Sequence, residues 1–251
     1  MRKAGALLLM VAVLAGLIWL TSRAAGLHYT VRGVPGAVLY TAAFSEGSDG
    51  WSQYDDGRLS AQVQGGALVV RANQPDSAAF STAPYHFDEA SFSVTARAIE
   101  GPIDNGFGLI VGLQTQDNTR LDDDTYLLFM ISSDGYYSAR QRENGSERTL
   151  STWIPSPAIR LGLGQDNLLR ADISGGQARF TVNGEALLFC VPNAPDGIST
   201  YYLGSCLDGA MVESLPVPGS GAGQFGVVAL TTATGGPGVA VQFDNALVVA
   251  P

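Results

Sequence analysis

Six side chains, Tyr136, Tyr137, Arg140, Arg142, Trp153 and Tyr201, are of the types that bind a ligand by stacking and hydrogen bonding. Aromatic rings offer a flat apolar face with a wet tip, and guanidiniums beside them present donors in a rigid fork. Tyr126 and Tyr202 belong to the same neighbourhood, although the apolar run around Tyr126 assigns that ring to the core. A second cluster, Asp117, Asp122, Asp123 and Asp124 with Asn118, gathers hard oxygen donors on one loop. Ca²⁺ takes such donors, but the spacing is not that of a calcium-loop consensus, and a solvated acidic loop is the plainer alternative. Hydrolytic chemistry is poorly supplied. Glycosidases place two carboxylates on either side of the scissile bond, yet Glu143 and Glu147 straddle a turn, Asp88 and Glu89 are adjacent, and Asp55 and Asp56 fall in a loop. There is no Gly-x-Ser-x-Gly elbow, and His28 and His86 are the only histidines. The stretch Gly219 to Gly223 lacks the Lys-Ser/Thr of a phosphate cradle.

The elements that must position these residues are short strands. Phe107 to Leu113 and Tyr126 to Ile131 are apolar runs, and the second is apolar at both parities. A strand of that kind needs both faces covered, so it is expected at the centre of a sheet. Ser133-Asp134-Gly135 and Asn144-Gly145 are turns, and the segment between them alternates. Leu59 to Val63 and Leu68 to Val70 form a hairpin across Gly65-Gly66. Ala78 to Ala83 is a weak strand stopped by Pro84. Phe92 to Ala98 has the cleanest period of two and is expected to pair with Phe107 to Gln114 across Gly101-Pro102. Leu169 to Ile173, Phe180 to Val182, Ala186 to Phe189, Phe225 to Thr231 and Val239 to Val249 supply the remaining strands. The segment from Ile154 to Gln165 is expected to be irregular. Turn signals at this spacing mark an antiparallel sandwich or barrel.

Phe44…Gly50-Trp51, Gly66-Ala-Leu-Val-Val, Phe92-Ser-Val-Thr-Ala and Asn105-Gly-Phe-Gly-Leu-Ile come in that order. They are followed by Tyr126-Leu-Leu-Phe-Met-Ile-Ser, Asp134-Gly-Tyr-Tyr, Asn167-Leu-Leu-Arg, Phe180-Thr-Val-Asn-Gly and Phe243-Asp-Asn. In that sequence they resemble the concanavalin A-like lectin/glucanase jelly roll, with laminin G-like modules and the bacterial 3-keto-disaccharide hydrolase domain the nearest in kind. The resemblance implies an all-β, antiparallel two-sheet sandwich over residues 37–251, with any ligand on the concave sheet face or at a loop edge. A glucanase of this kind would carry Glu-x-Asp-x-x-Glu on one strand, and that motif is absent.

Ahead of the sandwich, Arg2-Lys3 precedes an uncharged stretch from Ala4 to Leu20, so one apolar helix is expected within residues 1–24. At about 1.5 Å per residue it is slightly short of a bilayer core. An uncleaved anchor and a signal peptide both fit, and either exports the rest, with residues 25–36 as linker. Without Arg2, Lys3 and Arg23, 11 basic side chains face 23 acidic ones, a balance of −12. Nucleic acid is excluded as a partner by repulsion from phosphates. Cys190 and Cys206 are the only cysteines and, in an oxidising compartment, are expected to form a disulfide. The expected function is an exported, membrane-tethered, non-catalytic module binding a glycan or surface polymer. The alternatives are a carbohydrate-active hydrolase of the 3-keto-disaccharide type and an ectodomain that recognises a protein.

Overall fold

The alternation of Phe92 to Ala98 is realised in the strand Ala90–Glu100, whose side chains alternate between buried and half-buried along its length. The computed structural model describes residues 29–115, 124–143, 145–194, 196–198, 200–219, 222–232 and 238–251. Residues 31–251 make one compact unit. Among the described residues there are strands and turns and no helix, and no helix long and apolar enough to cross a membrane. The expected apolar helix of residues 1–24 lies outside the described residues.

One sheet runs, in spatial order, Ala78–Phe87, Gly223–Leu230, Gly106–Gln114, Thr125–Ser132, Tyr136–Glu143 and Ser146–Pro155. The other carries Gln177–Val182, Asn167–Ser174, Ala90–Glu100, Val239–Val249, Ala67–Ala72 and Leu59–Gln64 in that order. All of these neighbours pair antiparallel. The inner faces meet through aromatic contacts between the sheets: Phe92 stacks on Phe225 with ring centres 4.9 Å apart, and Phe129 on Phe180 at 4.6 Å. All four rings are buried, and truncating such a ring to alanine costs about 3–5 kcal/mol.

Three expectations are corrected. Ala90–Glu100 does not pair with Gly106–Gln114. It lies in the other sheet, between Asn167–Ser174 and Val239–Val249. Gly101, at φ +102, starts a crossover between sheets, and the carbonyl of Gly238 would lie 2.4 Å from any Cβ there. Period-2 alternation marks a half-buried strand but not its partner. Second, the strand beginning at Ala78 runs through Pro84 to Phe87. Pairing with Gly223–Leu230 shifts register between Thr82 and His86, leaving Pro84 and Tyr85 exposed in a bulge where no ladder N–H is required. Third, Thr125–Ser132 is central, as expected, but only one of its faces belongs to the inter-sheet core. Leu127, Phe129 and Ile131 join that core, whereas Tyr126, Leu128 and Met130 form a separate buried cluster with Phe80, Ile110, Leu113 and Val228.

Beyond Val182 the chain makes an excursion. Phe189–Pro192 pairs with Gly209–Val212, and Thr200–Tyr202 with Ser205–Leu207. The Cys190–Cys206 disulfide joins the two ladders across a separation of 16 residues.

Candidate functional site

A groove of about 530 Å³ lies on the face of the first sheet turned away from the inter-sheet core. Its floor is apolar, made by Leu128, Met130, Val228 and Leu230 with Gly106 between them. Partner residues on antiparallel strands share a face, so the pairs Arg142–Tyr126, Arg140–Leu128 and Ser138–Met130 place both arginines on this side. Across the hairpin between Glu143 and Ser146, Arg142 faces Glu147. Arg140 Nη1 donates to Glu147 Oε1 at 3.1 Å, and Arg142 Nη1 lies 3.7 Å from Glu147 Oε2. Arg142 Nη2 also donates to the Gly145 carbonyl at 3.2 Å, and Arg142 hydrogen-bonds the Tyr126 side chain. Burial pushes the Tyr126 phenol up to about 12, with Glu147 adding to the shift and Arg142 opposing it, so the ring remains neutral. Buried Asp124 lies close enough to contribute as well.

Trp153 enters the groove through a β-bulge. Tyr137 pairs with Ile154 and Ala139 with Ser151, so Thr152 and Trp153 together oppose the single residue Ser138. Bulges of this kind re-aim a side chain. The buried Ser138 is small, donates to the Ser151 carbonyl at 2.8 Å, and leaves room for the indole. The far edge of the ring reaches Gly106: a Cβ on that glycine would meet both Trp153 Cη2 and Met130 Sδ at 3.3 Å. The half-buried indole therefore lies along the groove beside an apolar floor, with the Arg140–Glu147–Arg142 cluster further along. At the opposite end Asp76, Ser77, Thr231 and Thr232 supply hydroxyls and a carboxylate.

Of the six residues expected to meet a ligand, the structure brings Arg140, Arg142 and Trp153 together in this groove. Tyr136 lies on the same side of the sheet in an adjoining depression. Tyr137 points the other way: it is buried, edge-on to Phe189 at 5.5 Å, and donates to the Leu188 carbonyl at 2.5 Å. Tyr201 is partly buried against the main core, on the hairpin opposite Cys206. The expected calcium donors Asp117, Asp122 and Asp123 lie outside the described residues. Among the described residues no three His, Cys, Asp or Glu side chains are grouped to hold a metal ion.

Tyr126 and Glu147 were not singled out for this site from sequence. A signal existed for Glu147, because a two-residue turn at Asn144-Gly145 fixes the hairpin register and sets Glu147 opposite Arg142. Nothing in the sequence reveals the bulge beside Trp153.

No protein-family model matches the sequence, and no curated protein is significantly similar to it. Solved structures do match in fold. A Bacillus subtilis protein of unknown function with a galectin-like fold is 15% identical, with a TM-score of 0.55 over 86% of this chain and 99% of its own. Carbohydrate-binding module CBM66 from Bacillus subtilis is 11% identical at 0.50, over 80% and 96%. Bacillus licheniformis β-glucanase is 8% identical at 0.52, over 86% and 99%. The fold is that of the concanavalin A-like jelly-roll sandwiches, and at these identities the likeness extends to the fold alone.

Proposed function

We propose that this chain is a non-catalytic glycan-binding module whose ligand lies in the groove along Trp153. The observation that carries this reading is the bulge-directed indole beside two arginines and one glutamate. A sugar's C–H face packs on an aromatic ring while its hydroxyls take donors and acceptors from a charged rim. The carbohydrate-binding module among the fold neighbours supports the same reading. The arrangement does not favour hydrolysis. Glu147 is engaged by two guanidiniums, and Asp76, the carboxylate at the groove's far end, lies at the opposite side of the sheet. Five strand spacings of about 4.8 Å put the two on the order of 20 Å apart along the sheet, beyond the ~5–10 Å that a glycosidase pair uses. The disulfide fits an oxidising compartment. An exported domain tethered by the apolar segment of residues 4–20 is consistent with it.

Affinity electrophoresis of the full chain against a panel of neutral and acidic polysaccharides tests this reading. Retardation by at least one polymer, lost in Trp153→Ala, is the expected result. Stacking is worth about 0.5–1.5 kcal/mol beyond buried area, so affinity should fall roughly tenfold. No retardation by any polymer, or release of reducing ends from the polymer that is bound, would overturn it.

A further inference from the structure

We propose that the groove continues past Trp153 into a second aromatic subsite at Tyr136, so that the ligand is a chain gripped on both sides of the indole. This rests on the glycan-binding reading above and names the form of the ligand. Tyr136 pairs directly with Pro155, two residues beyond Trp153 on the same strand. Side chains two apart share a face at about 7 Å along a strand, so Trp153, Pro155 and Tyr136 form one continuous surface. There a shallow, open depression lies over Tyr136, Pro155, Pro157 and Leu161, with the buried Ile159 beneath and Asp134 at its rim.

The loop that forms this depression is held by hydrogen bonds. Leu161 and Tyr136 face outward, 65% and 39% exposed, and the backbone behind them is tied at several points. Ser156 N donates to Gly135 O at 2.9 Å and Gly162 N to Ser133 O at 2.8 Å. Asn167 brackets Arg160, accepting from its N–H at 2.9 Å and donating to its carbonyl at 3.2 Å, while Asn183 donates to Ala158 O at 2.7 Å. Leu161 is held over the Asp134-Gly135 turn, its Cδ2 2.7 Å from where a Gly135 Cβ would stand. A loop whose backbone is pinned loses less ordering entropy on binding than a free one. Their continuity with the Trp153 surface identifies the occupant as the same polymer running on from the groove. The lining adds one carboxylate and one serine hydroxyl to an apolar wall, so this subsite holds a sugar by its ring face and leaves recognition of hydroxyls to the arginine end.

The test is a chain-length series. The full chain, Tyr136→Ala, Leu161→Ser and Trp153→Ala are titrated calorimetrically with laminari-, cello-, xylo- and N-acetylchito-oligosaccharides from disaccharide to hexasaccharide. In the series that binds, wild-type affinity should rise about tenfold from the shortest to the longest chain. Tyr136→Ala and Leu161→Ser should each remove that rise while leaving short-chain affinity within about twofold. Equal length dependence in wild type and both variants, or no length dependence in wild type, overturns the second subsite and leaves the groove reading intact. No binding in any series, or binding that Trp153→Ala does not weaken, overturns the groove reading and the subsite together.

Discussion

Trp153 and Tyr137 show how one strand step decides a residue's role. Both are aromatics on neighbouring strands, but Tyr137 faces Phe189 in the core, and Trp153, beside the bulge opposite Ser138, faces the groove. Tyr126 combines the two conditions, buried yet on the groove wall. Burial pushes both Tyr126 and Tyr137 up to about 12 from 10.0. The sign follows from comparison with the unfolded chain, whose tyrosines ionise near 10. Stability is complete below that pH and is lost as pH rises towards 12, by up to about 3 kcal/mol per tyrosine. Urea midpoints near pH 9 and near pH 11 should therefore differ, and Tyr126→Phe should narrow the difference. An unchanged difference in Tyr126→Phe would show that this phenol does not ionise as described. At the groove's charged end, Glu147→Gln leaves the side-chain shape but removes the counter-charge of two arginines. A binding module should then change affinity by a few fold in either direction and show no turnover before or after the substitution.

At the scale of elements, two glycines two positions apart on Gly106–Gln114 have separate duties. A Cβ on Gly108 would stand 2.1 Å from the Phe129 carbonyl, a backbone atom that cannot yield, whereas one on Gly106 meets only Met130 and Trp153 side chains at 3.3 Å. Gly108→Ala should cost more than about 2 kcal/mol in chemical denaturation. Gly106→Ala should cost less than about 1 kcal/mol and instead weaken binding by lifting the indole. A Gly108→Ala protein of wild-type stability would contradict the close strand approach. The excursion from Phe189 to Val212 depends on its cross-link: a disulfide closing a loop of 16 positions is worth about 3 kcal/mol by chain entropy. Reduction should lower the unfolding free energy by that amount, read as a lower urea midpoint, without altering polymer binding, since neither cysteine lines the groove. These elements were unequally legible in the sequence. Gly65-Gly66 and Asn144-Gly145 announced hairpins because their turns demand positive φ. Gly101-Pro102 looked equally like a hairpin and proved to be a crossover, since alternation carries no information about which sheet a strand joins.

For the whole molecule, the all-β sandwich could be read from residues such as Phe92 to Ala98, Leu169 to Ile173 and Val239 to Val249, whose alternation fits one buried face each. What could not be read was the groove. The apolar second face of Thr125–Ser132 looked like inter-sheet core because hydrophobicity does not tell a sheet's inner face from a groove on its outer one. Tyr126, Leu128 and Met130 line the groove and do not pack under another sheet. A formal −9 describes the molecule as a whole, while the groove holds a paired cluster of two arginines and one glutamate. Trp51, buried beneath Phe44 with ring centres 5.6 Å apart, provides an internal reference for the central claim. The direct measurement is an indole N–H titration by nuclear magnetic resonance, adding the polymer that retards the chain. The groove account predicts that the Trp153 resonance shifts with saturation while Trp51 stays fixed. A titration that binds polymer but leaves Trp153 unmoved would contradict it.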